Sequence, residues 1–253
     1  KHVRKIALVG AISSDAVHEQ PEGMPPADYL SGGGSGHTSA NGWDIVRADT
    51  AIARRAKQDG IEVMAQNVFG DFDNERFFKI INEADLNIYI AATTATEGQD
   101  RNQLFLDMYA NEMIGYMAEA GPTVVLMQTP GVVVLPWRNH ENVSAIMNLF
   151  LAGEKTGVAW ANTLFGDVSP SGKLPVLFPK THALTVQPTQ GLHIPYSEGM
   201  FGSYRSPQVE AMTAYPFGHG LSYTTFAYGR PEQVPLSECE SAERAWSGSS
   251  PLK

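Results

Sequence analysis

The chain has 253 residues, of which 43% are hydrophobic and 18% charged, and its formal net charge at pH 7 is −9. A chain of this length and composition can bury a full core and is typical of a globular protein. The negative charge disfavours nucleic acid as a partner. We also expect no membrane span, because no apolar run approaches the ~20 residues that a transmembrane helix needs.

The first half of the chain alternates apolar runs with helical patterns. Residues 5–10, 61–66 and 86–92 predict strands, whereas residues 50–59, 73–84 and 107–120 predict helices. Asp73 is a suitable N-cap for the second of these helices.

The alternation continues to residue 165. Residues 123–128 predict a fourth strand and residues 143–151 a fifth, although residues 132–135 compete for that assignment, and residues 153–165 predict a helix. Strands that alternate with helices indicate an α/β sandwich, in which a doubly wound, mainly parallel sheet carries helices on both faces.

The amino-acid composition changes after Gly166. Residues 167–228 are dense in proline, glycine and aromatic residues, which predicts an irregular extension that wraps the sheet, with an added edge strand near residues 173–178 as one option. Residues 229–253 predict a polar tail. We therefore expect a single α/β domain over residues 1–228, followed by the tail.

Glu97, in the loop after the third predicted strand, is the main candidate for a functional residue. It lies five residues past Ala92, between small polar residues and Gly98. Ligands of open α/β sheets bind at the carboxyl ends of the strands. The alternative is an ordinary exposed loop carboxylate without a function.

A glycine-rich run, residues 32–36, lies in the long irregular segment 11–49. Loops of that length inside a domain are more often functional than accidental. The run lacks the spacing of the phosphate-binding patterns, so nucleotide binding is disfavoured. The seven histidines show no ligand spacing, and we predict neither a metal nor another cofactor.

Five blocks of sequence carry a family resemblance: TEGQDRNQL (96–104), PTVVLMQTPGVVVLPW (122–137), GVAWANTLFGDVSPSGKLPVLFP (157–179), IPYSEGMFGSYR (194–205) and FGHGLSYTTFAYG (217–229). Together and in this order they resemble the C-terminal α/β-sandwich domain of glycoside hydrolase family 3, the family of many β-glucosidases and β-xylosidases. The fold that this resemblance implies agrees with the α/β prediction.

The resemblance implies a division of labour between two domains. Glu97 matches the family's acid/base glutamate in its EGxDR-like context, and the nucleophilic aspartate belongs to an N-terminal barrel domain that lies outside this sequence. The implied partners are that barrel domain, or a chain carrying it, and a β-linked saccharide or glycoside. A secreted or lumenal location is implied in the same way.

Other residues are weaker candidates for substrate binding. Ser35 and His37 belong to a loop that, by the resemblance, edges the mouth of the active site, and Gln99 stands where the family often has an aromatic residue. Asp100 and Arg101 either contact a sugar hydroxyl or form a structural ion pair, and we favour the ion pair. Glu198 is a second candidate acid, for which a structural role is favoured.

Two functions remain open on the sequence alone. The chain either supplies the acid/base of a retaining glycosidase or is a non-catalytic carbohydrate-binding or assembly component with the same fold. If a barrel partner exists, the loops 93–101 and 31–38 should form one rim, because the acid must lie close to a nucleophile on another domain.

Overall fold

The computed structural model describes residues 2–11, 28–37, 45–98, 101, 103–185, 193 and 195–231. Lys1–Ser222 form one compact unit and Tyr223–Lys253 a second, of which residues 223–231 are described. The predicted boundary between the domain and its tail at residue 228 stays a prediction. Within the described residues, no helix is long and apolar enough to cross a membrane.

The first unit is built on a parallel sheet. Its five strands are β1 (Lys5–Gly10), β2 (Glu62–Asn67), β3 (Leu86–Ala92), β4 (Thr123–Gln128) and β5 (Val143–Asn148). Four helices accompany them: α1 (Ala48–Gln58), α2 (Asn74–Glu83), α3 (Ala110–Ala120) and α4 (Thr156–Leu164). The spatial order of the strands is β2-β1-β3-β4-β5, and all neighbouring pairs are parallel. The predicted doubly wound fold is therefore confirmed.

The strands are apolar on both faces because helices cover both faces. Successive residues of β1 show this alternation: Ile6 and Leu8 pack with α1 and α4, whereas Ala7 and Val9 pack with α2 and α3. The side chain of Ile114 in α3 is fully buried, and truncating such a residue to alanine costs about 2–5 kcal/mol of stability.

The strand order places a topological switch point between β1 and β3. The chain moves outward from β1 to β2 and then returns past β1 to β3. The loops that follow β1 and β3 therefore both start at the carboxyl edge of the sheet beside this point, where ligands bind in open α/β sheets. The glycine-rich run follows β1, and Glu97 follows β3.

The predicted cap of α2 is confirmed, whereas the predicted start of α3 is wrong. Asp73 caps α2 as predicted, since its side chain accepts a hydrogen bond from the backbone N–H of Arg76. The helix predicted from residue 107 instead begins at Ala110, because Met108 and Tyr109 have φ angles of +55° and +53°. A left-handed backbone of this kind cannot continue a right-handed helix.

The predicted strands past β4 also need correction. Residues 132–135 are not a strand, although they are largely buried, and β5 ends at Asn148 rather than at residue 151. No edge strand forms over residues 173–177. Two short strands, β6 (Phe178–Pro179) and β7 (Thr213–Tyr215), instead pair antiparallel in a separate sheet. Pro175 and Pro179 lack the N–H groups that a longer ladder would need.

The rest of the extension is irregular. It contains the short helix α5 (Val209–Met212) and the 3₁₀ turns His182–Leu184, Gly199–Phe201 and Ser203–Arg205. A further 3₁₀ turn, Gly153–Lys155, leads directly into α4. Phe178 is buried in the cluster on the α2 and α3 face of the main sheet, so this part of the extension contributes to the core.

Candidate active site at the switch point

The loops after β1 and β3 lie against each other at the carboxyl edge of the sheet. The backbone N–H of Gly33 donates to the carbonyl oxygen of Ala95 at 2.8 Å. The hydroxyl of Thr94 donates to the carbonyl oxygen of Asp28, also at 2.8 Å. The predicted meeting of the two loops is confirmed over the residues that the structure describes there, 28–37 and 93–98.

Glu97 lies at the exposed top of this junction. One of its carboxylate oxygens, Oε2, accepts a hydrogen bond from the backbone N–H of Ser35 at 2.9 Å and a second from the Ser35 hydroxyl. These two hydrogen bonds hold the pKa of Glu97 below its ordinary value, because they favour the charged carboxylate. Ser35 is therefore a hydrogen-bond partner of the Glu97 carboxylate, and both side chains are exposed to solvent.

Gly34 makes the close approach of the two loops possible. Its φ angle is +81°, and a methyl group on its Cα would lie 2.4 Å from Glu97 Cβ and 2.7 Å from the Glu97 backbone nitrogen. No side chain fits at those distances, and the left-handed conformation favours glycine in any case. The neighbouring Gly36 has open space around it.

His37 faces its own loop. Its Nε2 lies 3.0 Å from Oδ2 of Asp28, and the two side chains are only 16% and 9% exposed. The ring is thus engaged with a buried carboxylate at the base of the loop. A contact between His37 and a substrate stays a prediction.

Arg101 is directed into the molecule. Its Nη2 donates to the carbonyl oxygen of Val132 at 3.0 Å. Burial lowers the pKa of Arg101, and the nearby Asp107 opposes this effect. These contacts favour the structural role over a contact with a sugar hydroxyl, which stays a prediction. Gln99 and Asp100 lie outside the described residues.

A buried polar cluster beneath the junction was not predicted from the sequence. Asp107 accepts hydrogen bonds from the hydroxyl of Tyr29 at 3.1 Å and from the hydroxyl of Thr93 at 3.0 Å. Burial, followed by the Asp107 charge, raises the pKa of Tyr29, so its hydroxyl remains a donor. Tyr29 and Asp107 are 78 positions apart, and no local sequence pattern links them.

Glu198 lies elsewhere in the fold. It precedes the 3₁₀ turn Gly199–Phe201, and its carbonyl oxygen accepts a hydrogen bond from the N–H of Phe201. No hydrogen bond or ion pair joins Glu198 to Glu97 or Ser35 among the described residues. In the same residues, no three His, Cys, Asp or Glu side chains are grouped closely enough to hold a metal ion.

Comparison with known proteins decides the family. The sequence model of a protein family, the glycosyl hydrolase family 3 C-terminal domain, matches residues 1–223. The chain belongs to this family. The family 3 fold expected from the sequence blocks is thereby confirmed.

Relatives of this family 3 chain include a β-glucosidase from Rhizobium radiobacter, which is 33% identical over 71% of this chain and 24% of its own length. A probable β-glucosidase M from Aspergillus niger is 34% identical over 78% of this chain and 26% of its own length. Both are glycoside hydrolases by name.

Solved structures agree with the sequence relatives. The β-D-glucoside glucohydrolase of Trichoderma reesei superposes with a TM-score of 0.76 and 26% identity, over 91% of this chain and 34% of that one. A family 3 β-glucosidase from Neurospora crassa gives the same TM-score and identity over 90% of this chain and 29% of that one. This chain thus spans about a quarter to a third of the length of these relatives.

Proposed function

We propose that this chain supplies the general acid/base, Glu97, of a retaining β-glycosidase whose nucleophilic carboxylate lies on a barrel domain outside this sequence. The observation that carries the proposal is the position of Glu97. It is an exposed carboxylate at the switch point of the sheet, within the block TEGQDR. Ser35, in the loop after β1, donates a hydrogen bond that holds the carboxylate in this position. The names of the relatives support a β-glucoside as the substrate.

The chemistry requires a second carboxylate. In retaining hydrolysis, one carboxylate attacks the anomeric carbon while the other protonates the leaving oxygen, and the two carboxyl groups lie roughly 5 Å apart. The glutamate that gave its proton then acts as a base and activates water. The family resemblance assigns that second carboxylate to an N-terminal barrel domain outside this sequence.

The same partner accounts for the protonation state of Glu97. A general acid must be protonated near neutral pH, yet the hydrogen bonds from Ser35 lower the pKa of Glu97 in this chain. A second carboxylate a few ångströms away, in a site from which docking excludes water, would raise that pKa because two like charges cannot both be ionised cheaply. The acid is therefore completed by the nucleophile domain.

The non-catalytic alternative also has an observation in its favour. An exposed carboxylate with a lowered pKa is a good acceptor for sugar hydroxyls, and a carbohydrate-binding component would need nothing more. This alternative predicts saccharide binding without turnover in the complete protein, meaning this chain together with the nucleophile-bearing domain.

Assay of the isolated chain tests the proposal. We expect no hydrolysis of aryl β-glucosides by the chain alone, since one carboxylate cannot perform a double displacement, and we expect turnover by the complete protein. Turnover by the chain alone that is lost in Glu97→Ala would show that the nucleophile lies within this sequence.

A further inference from the structure

Asp28 is a buried carboxylate at the base of the glycine-rich loop, with only 6% of the residue exposed. Its Oδ1 accepts hydrogen bonds from the backbone N–H groups of Leu30 at 2.8 Å and Ser31 at 2.5 Å, and from the Ser31 hydroxyl at 3.1 Å. Its Oδ2 contacts the same hydroxyl at 3.1 Å and Nε2 of His37 at 3.0 Å. The carboxylate therefore joins the start of the loop to its end.

The backbone of Asp28 is fixed as well. Its N–H and carbonyl groups exchange hydrogen bonds with Gly32, and its carbonyl oxygen also accepts from the Thr94 hydroxyl in the loop after β3. Burying a carboxylate is costly unless its oxygens are satisfied. Both oxygens of Asp28 are satisfied here, by groups that belong to the loop itself.

Ser35 lies between the two parts of the loop that this carboxylate joins. The segment from Ser31 to His37 is glycine-rich and has little stiffness of its own. The hydrogen bond from Gly33 to Ala95 fixes one side of Ser35, and the contact between Asp28 and His37 fixes the other side. Together they present the N–H and the hydroxyl of Ser35 to one carboxylate oxygen.

We propose that Asp28 is a positioning residue for Glu97: its carboxylate closes the loop 28–37 in the shape that brings the Ser35 N–H and hydroxyl onto the Glu97 carboxylate. His37 is then the partner that closes the loop rather than a sugar ligand. The placement of Glu97 by Asp28 is independent of catalysis, whereas its consequence for turnover rests on the proposed function.

The direct test is the titration of the Glu97 side-chain carboxyl, followed by NMR in the 253-residue chain. We expect a pKa below the ordinary value in the unmodified chain and an upward shift in Asp28→Ala, because Ser35 leaves Glu97. Asp28→Asn should restore most of the unmodified pKa, since its amide oxygen can accept the hydrogen bonds from Leu30 and Ser31 while its amide nitrogen donates to Nε2 of a neutral His37. An ordinary pKa for Glu97 in the unmodified chain would overturn the inference.

A matched control separates positioning from loss of stability. Asp73→Ala removes a carboxylate that caps α2 through the N–H of Arg76, so it should lower stability and leave the titration of Glu97 unchanged. In Ser35→Ala, by contrast, the Glu97 pKa should rise because the hydroxyl is lost. Adding Asp28→Ala should then cause a smaller further rise than Asp28→Ala causes alone, because only the backbone N–H of residue 35 remains to be displaced. Additive shifts would overturn the inference.

A second variant covers the case in which Asp28→Ala does not fold. His37→Ala keeps the hydrogen bonds from Leu30 and Ser31 to Asp28 but removes the contact that closes the loop. We expect the pKa of Glu97 to rise in this variant too. A folded His37→Ala chain with an unchanged Glu97 titration would contradict the proposal.

Activity of the complete protein distinguishes a failure of the acid/base role of Glu97 from a failure of the positioning role of Asp28. Asp28→Ala should lower kcat by about tenfold or more, with a smaller change in KM, because it misplaces the acid rather than the substrate. If Glu97→Gln leaves activity unchanged, the proposed function fails and the NMR titration still decides the role of Asp28. If Glu97→Gln is inactive but Asp28→Ala changes neither kcat nor the titration, only the positioning inference fails.

Discussion

Two of the contacts between the loops after β1 and β3 differ in depth: one lies at the surface and the other lies beneath it. At the surface, the exposed carboxylate of Glu97 accepts two hydrogen bonds from Ser35. Beneath the surface, Asp107 accepts hydrogen bonds from Tyr29 and Thr93, which are only 2% and 3% exposed. We therefore expect the contact between Glu97 and Ser35 to serve catalysis and the contacts of Asp107 to serve stability. Changes at the surface should alter turnover, and changes beneath it should alter the free energy of unfolding.

The largest effect is expected at the surface. Glu97→Gln in the complete protein should lower turnover of aryl β-glucosides by ~10²-fold or more, the lower end for the loss of a general acid. The amide is nearly isosteric, so the thermal unfolding midpoint and the assembly with the nucleophile domain should not change. Unchanged turnover would move the acid/base role to another residue, and Glu198 is the next to test.

A smaller effect at the surface comes from the spacing between the loops. Gly34→Ala places a methyl group against Glu97 and should lower kcat about tenfold to a hundredfold, because a shift of about 1 Å in a reacting group has that cost. Gly36→Ala adds a methyl group in open space and is the matched control. Equal losses in the two variants would mean that the close approach at Gly34 is not what matters.

The interior contact should behave in the opposite way. Tyr29→Phe keeps the ring, which stacks on Phe69 at 6.0 Å between ring centroids, and removes the hydrogen bond to Asp107. We expect a loss of about 0.5–1.5 kcal/mol in the free energy of unfolding, measured by chemical denaturation, and little change in kcat. Tyr116→Phe, at an exposed tyrosine, should lie within about 0.5 kcal/mol of the unmodified protein.

The smallest effect concerns pH. The acid must be protonated, so activity falls as pH rises through the pKa of Glu97. Ser35 stabilises the carboxylate form and lowers that pKa. Ser35→Ala should therefore move the falling limb of the kcat/KM profile to higher pH. An unchanged falling limb would mean that the Ser35 hydroxyl does not donate to Glu97 in the complete protein.

The sheet was the most predictable part of the molecule. The predicted strands 5–10, 86–92 and 123–128 are confirmed to the residue, because a strand covered by helices on both faces is a nearly continuous apolar run. Residues 173–178 are also rich in apolar side chains, yet prolines prevent a strand over residues 173–177 and leave only the short pairing that begins at Phe178. Apolar content alone could not distinguish the two cases.

The site was predictable only in part. The position of Glu97 after β3 and the meeting of its loop with the glycine-rich run follow from the alternation of strands and helices and from the family resemblance. The partnership of Tyr29 with Asp107 and the inward turn of His37 toward Asp28 do not. Side chains in irregular loops find partners through three-dimensional contact, for which the sequence has no period.

The leaving-group dependence of Glu97→Gln in the complete protein tests the central claim most directly. A phenyl β-glucoside needs a proton on its leaving oxygen, whereas 2,4-dinitrophenolate leaves without one. We expect the variant to lose ~10²-fold or more in kcat/KM on the phenyl glucoside, but less than about tenfold on the dinitrophenyl glucoside. Equal losses on both substrates would contradict an acid role and would leave Glu97 as a residue that only binds the sugar.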